Sequence, residues 1–223
     1  MTNGISNVLS MVEALAEPRL AKPAINKLTL AMFALTAIGL GTGIYAFIAG
    51  HHNVYAVTRE VPWGILISTY AFFAITSTGL CLLAAIGHAF GGNTLAPLGN
   101  RAVYLSIITI LAAFAVIGLE LASPWRMLIY NVTSPNLTSN IWWMGTLYGM
   151  AVGCMFVEFF AILTSRWGLA LAIGMLGALA EVGANTNLGA VFATLAARPF
   201  WFGAQLPVYF LCSAVMCGCA AII

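Results

Sequence analysis

The sequence predicts an all-α, polytopic membrane protein with six transmembrane helices. Of 223 residues, 62% are hydrophobic and 6% are charged, against about 25% charged in a soluble domain. Apolar runs of roughly 20 residues, the length that crosses a bilayer, recur along the chain. Trp63, Trp125, Trp142, Trp143, Trp167 and Trp201 fall at or beside the limits of those runs, where an indole keeps its ring in apolar surroundings and its N–H wet. No soluble core of this size absorbs so much apolar surface.

In chain order, residues 1–27 read as a cytoplasmic segment. Glu13, Glu17, Pro18 and Pro23 interrupt any secretory apolar core, so there is no cleavable signal peptide. Ile5, Val8, Leu9, Val12 and Leu15 recur at helical spacing, which fits a short helix on the membrane surface or one docking a partner. The first crossing is Leu28–Ala49, and Pro62–Gly87, Ala102–Ala122, Ile141–Leu163 and Trp167–Ala197 follow. Gly183, Asn185, Thr186 and Asn187 interrupt the long fifth run and predict a kink, a tilt or a broken helix there. Phe202–Ile223 is the sixth crossing. It stops within an apolar stretch, which reads as part of a longer protein.

Arg19, Lys22, Lys27, Arg101 and Arg166 fall on one side of these crossings and Arg59, Arg126 and Arg198 on the other. The cluster ahead of the first crossing places the N-terminus in the cytoplasm. A net charge of +2 gives no footing for nucleic acid. Cys81, Cys154, Cys212, Cys217 and Cys219 all lie in apolar runs and read as packing residues.

Chemistry is concentrated in three glutamates. Glu120, Glu158 and Glu181 lie inside or against the apolar runs, where a carboxylate costs about 2.5–3.5 kcal/mol and is kept for a partner or a task. The topology puts Glu120 near the outer interface, Glu158 roughly 20 Å deeper toward the cytoplasm, and Glu181 near the midplane. If their helices are neighbours, the three form a staircase for protons, with Tyr70, Thr76, Ser77, Thr78, Tyr148, Asn185 and Asn187 as rungs. The structural alternative is that each glutamate is protonated or ion-paired and joins helices, with Arg126 as the partner of Glu120. His51 and His52 lie in the outer loop and read as solvated, while His88 suits the cytoplasmic mouth of a proton route. No two histidines sit at matching depth for a haem. Glycines such as Gly39, Gly41, Gly43, Gly174 and Gly177 fit close helix packing.

Several short motifs resemble one family. Pro62-Trp63-Gly64 opens the second run, and Glu120 is followed by Pro124 and Arg126. Ser134-Pro135 with Ser139 and Trp142-Trp143 precedes the fourth run, and Arg198-Pro199-Phe200-Trp201 leads to Leu206-Pro207 and Ser213-Ala214. In order and spacing these are similar to the NrfD/PsrC membrane subunits of polysulfide-reductase-type complexes, including the longer alternative complex III members. The resemblance implies paired four-helix bundles in a bacterial cytoplasmic membrane, with 28–49 as an extra, peripheral first helix, 62–197 (the second to fifth crossings) as one complete four-helix bundle and 202–223 as the start of a second. It implies a quinone (ubiquinone or menaquinone) bound near the outer face, with Glu120 at the family's acidic position. It also implies a ferredoxin-like iron–sulfur partner beside a molybdopterin subunit or a multihaem cytochrome.

The contacts expected for quinone are Ser68, Tyr70, Glu120, Arg126 and Tyr130. Protons are expected to use Glu120, Glu158, Glu181, His88 and Asn185. One departure weakens the quinone site: Leu66 to Tyr70 holds no histidine, and a tyrosine with a pKa of about 10 accepts protons poorly at neutral pH. An ion-translocating module and an inert membrane anchor stay open as rival readings.

Overall fold

The structure, a computed structural model, describes residues 22–55 and 63–223. The surface helix expected in residues 1–27 falls, up to residue 21, outside the described residues, as does Pro62. Two compact units divide the chain, at Met1–Gly64 and Ile65–Ile223. In the first, α1 spans Lys22–Ala49. Its apolar side chains are exposed, among them Leu30, Phe33, Ile38 and Ile48, as expected of a helix with lipid around it. Gly50 ends it at φ +89, in the left-handed region that glycine reaches without a steric cost. A single turn follows, α2 at His51–Val54, where the His51 ring packs edge-on to Phe47 and Tyr55.

The second unit holds α3 (Ile65–Phe90), α4 (Gly92–Glu120), α5 (Pro124–Thr133), α6 (Asn140–Leu163), α7 (Trp167–Ala193) and α8 (Leu206–Ile222). Neighbours in sequence pack as antiparallel pairs, α3 with α4 and α6 with α7; α4 also meets α6, and α3 meets α7. These contacts close the expected four-helix bundle. Its outer face carries Phe72, Ile108, Phe160 and Leu179, while Ser77, Thr78, Glu158, Glu181 and Asn185 are buried inside. Apolar outside with polar inside suits helices bathed in hydrocarbon, where there is no hydrophobic drive to bury leucine and every reason to bury a carboxyl.

Five of the six expected crossings are long and apolar enough to span a membrane: Asn26–Ala49, Ile65–Phe90, Ala96–Glu120, Asn140–Leu163 and Trp167–Ala193. The sixth is shorter. Residues 198–205 form turns, and the helix starts only at Leu206, with Pro207 in its first turn. Helix α4 begins ten residues before the expected start at Ala102 and runs through Pro97, so near its beginning that one missing N–H does not end it. Of the kink, tilt or break expected in the fifth run, the break is absent. Helix α7 is continuous through Gly183, Asn185 and Asn187; it contains no proline, and Asn187 Nδ2 bonds outward to the Asn140 carbonyl. The short helix α5 was not expected at all.

Helix α8 packs on α3 and α7, in the same compact unit as the bundle. Glycines make this possible: a Cβ on Gly79 would strike the Ala214 carbonyl, and one on Gly218 would strike the backbone of Gly79. We expect Gly79→Ala to cost about 1–3 kcal/mol by overpacking, read as a lower melting temperature in detergent. Gly149→Ala, facing open space on exposed α6 surface, should leave the melting temperature unchanged or higher; equal effects from both would mean that the crossing is not tight.

Candidate functional site: a buried polar column

Halfway along α7, Glu181 is 0% exposed. Two hydroxyls of α3 face it: Ser77 Oγ donates to Oε1 at 3.1 Å and Thr78 Oγ1 donates to Oε2 at 2.8 Å. Each hydroxyl also has a backbone carbonyl within reach, Ser106 O for Ser77 and Ala74 O for Thr78, both at 3.1 Å. A hydroxyl has one proton to give and lone pairs to receive with. When Glu181 is ionised, both hydroxyls point at it. When it is protonated, it donates to one of them, and that hydroxyl turns to its carbonyl. Both states are therefore satisfied without moving the backbone.

A second cluster lies nearer the end of the bundle where α3 passes to α4. His88 Nδ1 is 3.2 Å from Glu158 Oε1, and His88 Nε2 is 3.0 Å from Asn100 Oδ1. With Oδ1 as acceptor, Nε2 must carry a hydrogen. Nδ1 and Glu158 then share a single proton, either as imidazolium and carboxylate or as imidazole and carboxylic acid. Glu158 is 2% exposed. Two glycines make room for the pair: a Cβ on Gly174 would collide with the Glu158 carboxylate, and one on Gly99 would lie 2.7 Å from the His88 ring.

Helical rise spaces the two clusters. Gly174 touches Glu158, and seven residues separate it from Glu181 on α7, so the carboxyls lie about 10 Å apart along the helix axis. Buried Cys81 and Ser106 occupy the intervening levels of α3 and α4. On the other side of Glu181 come Asn185, one turn on along α7, and Tyr148 of α6; both are buried, and the Asn185 amide and Tyr148 hydroxyl have no hydrogen-bond partner among the described residues. Tyr70 follows, its hydroxyl 3.6 Å from Met144 Sδ.

Of the residues expected to handle protons, the structure joins His88 directly to Glu158 and sets Glu181 and Asn185 on one face of α7. Glu120 stands apart. It is the last residue of α4, twenty positions from Asn100, hence about 30 Å from the His88 cluster rather than the expected 20 Å. It is half-buried, and the expected ion pair with Arg126 is not formed; between described residues the ion pair is His88 with Glu158. Helix α5 is the reason: it starts at Pro124 and carries Arg126 and Tyr130 exposed to the outside.

Ser68 and Tyr70 are two positions apart on α3 and so face different ways, Ser68 exposed and Tyr70 buried. No hydrogen bond or ion pair among the described residues joins the five expected around quinone to one another. Sequence reasoning missed Asn100 and Gly99, which looked like loop residues beside Arg101. It took Gly174 as a helix-packing glycine, whereas Gly174 makes room for a side chain.

The sequence matches the family described as polysulphide reductase, NrfD, over residues 53–223. The chain belongs to the NrfD family. It is a multi-pass membrane protein. A selenate reductase subunit from Mesobacillus selenatarsenatis is a relative, 22% identical over 88% of this chain and 55% of its own length. The chain thus spans about half the length of the curated relative it matches. No solved structure matches it.

In this NrfD chain, Gly174→Ala should cost about 1–3 kcal/mol by forcing Glu158 from its seat. Combining it with Glu158→Ala should recover most of that loss, a coupling of about 1 kcal/mol or more in a double-mutant cycle of thermal unfolding. Strict additivity would show that Gly174 acts on helix packing alone.

Proposed function

We propose that this chain is a membrane subunit of a quinone-coupled reductase complex, and that its bundle handles the protons of that reaction. Family membership supports the first part, together with a relative whose name is that of a reductase subunit. The observation that carries the second part is the Glu181 carboxyl, wholly buried and held by two hydroxyls that accommodate it with or without its proton. A carboxyl that only glued helices would need no such alternative partners.

In this reading, electrons pass between the quinone and an iron–sulfur subunit, which itself serves a molybdopterin enzyme or a multihaem cytochrome. Ubiquinone and menaquinone both fit. Quinone binds toward the Glu120 end. Glu120, Arg126 and Tyr130 are accessible to it there, Ser68 lies on the outer surface of α3, and Tyr70 would serve from inside the bundle. Protons move through Tyr70, Asn185 and Glu181 to the His88–Glu158 pair. Glu120 takes up or releases protons at its own end.

The N-terminus is cytoplasmic in this proposal, which puts the His88 end of the bundle on the cytoplasmic side. Arg101 and Arg166 lie at that end, and Arg126 and Arg198 at the other, consistent with the sense of the charge bias. Helix α8 is taken as a sixth crossing that begins a further bundle.

Glu181→Gln keeps the shape and the acceptor oxygen but cannot take up a proton. In the intact complex in vesicles, we expect it to lower quinone-linked proton movement roughly a hundredfold, the scale of a lost proton-transfer group. Unchanged proton movement per electron would remove Glu181 from the path. Turnover insensitive to added quinol would overturn the quinone assignment independently.

A further inference from the structure

We propose that Asn185, Tyr148 and Glu181 enclose a buried water site on the side of the carboxyl that faces away from His88. Among the described residues, both polar atoms of the Asn185 amide are buried without a partner, and so is the Tyr148 hydroxyl. Asn185 is 0% exposed and Tyr148 1%. A buried polar group left unpaired costs about 1–3 kcal/mol. Buried polar groups are as a rule paired with protein or with ordered water, so these three atoms call for a partner.

Helical register brings these atoms to one place. Asn185 follows Glu181 by one turn on the same face of α7. Gly183 of α7 packs on the Leu147 side chain, which sets Tyr148 level with the stretch between Glu181 and Asn185. The Tyr148 hydroxyl approaches Thr78 but does not reach hydrogen-bond geometry. Ala74, one turn before Thr78 on α3, and Ala184, beside Asn185 on α7, are fully buried and carry short side chains.

The identity of the ligand follows from the orphan atoms. Asn185 Oδ1 needs a donor or a cation, but Asn185 Nδ2 is a donor and needs an acceptor. A small cation would satisfy the oxygens and leave Nδ2 unpaired beside a positive charge. Water satisfies both, and each Glu181 oxygen keeps a lone pair for it beyond the bond from Ser77 or Thr78. Such water would extend the reach of the Glu181 carboxyl toward Tyr70. Only that last step rests on the proton-handling reading; the water site does not.

Infrared difference spectra of the intact complex test this. The carboxyl band of Glu181 is identified by its loss in Glu181→Gln, and its shift after transfer to D2O is timed. Wild type should exchange fast. Asn185→Leu and Tyr148→Phe should each slow the exchange by about tenfold or more, and Asn185→Leu should also lower the melting temperature. If the site is dry, Asn185→Leu removes orphan groups, raises the melting temperature and leaves exchange unaltered, which overturns the proposal. A melting temperature raised by Na+ in wild type but not in Asn185→Leu would overturn it in favour of a cation. Tyr148→Phe, which keeps the ring, decides if Asn185→Leu fails to assemble. A dry site combined with proton loss in Glu181→Gln would sink the water and spare the proposed function.

Discussion

The second unit is organised around one interaction, the Glu181 carboxyl held by the hydroxyls of Ser77 and Thr78. An ionisable group at that depth is tolerated only if neighbouring helices supply its partners. This requires α3 to lie against α7, as it does, and small residues are buried on both helices, Ala74 on α3 and Ala178 and Ala184 on α7. Ser77 also contacts the Ser106 carbonyl, which ties α4 to the same point. Three of the four bundle helices thus meet at one carboxyl.

Glycine has two roles in this fold. At the crossing of α3 and α8, Gly79 and Gly218 bring backbone against backbone. At Gly99 and Gly174 the missing Cβ makes room for His88 and Glu158. The second role ties helix packing to chemistry, because the ring and the carboxylate reach each other only where both seats are open. Gly39 and Gly41, in the first unit, have nothing within 4 Å among the described residues.

Much of this was legible in the sequence. The apolar runs, the inward placement of Glu158 and Glu181, and the value of Ser77, Thr78, Tyr148 and Asn185 as polar groups followed from the cost of polarity in lipid. The boundaries were less legible. Pro97, Asn100 and Arg101 hid the first ten residues of α4, since a proline and polar side chains read as a loop although the backbone there stays helical. Asn185 and Asn187 suggested a broken α7; their amides are side-chain groups, and nothing in them opens the backbone ladder. Helix α5 escaped notice because it is ten residues long, too short for the periodicity of a spanning run.

Composition and run length alone determined that the chain is helical and lies in a membrane, because an apolar backbone environment forces local hydrogen bonding whatever the partners of each helix. The NrfD motifs, being local in sequence, were readable in the same way. Which side chains meet was decided only by the tertiary structure. His88 and Glu158 are 70 residues apart, and Glu181 is more than a hundred from Ser77 and Thr78. Their pairing depends on how α3, α6 and α7 are rotated and staggered against one another. That rotation is set by glycine and alanine contacts between helices, a property of surfaces in register that no single stretch of sequence contains.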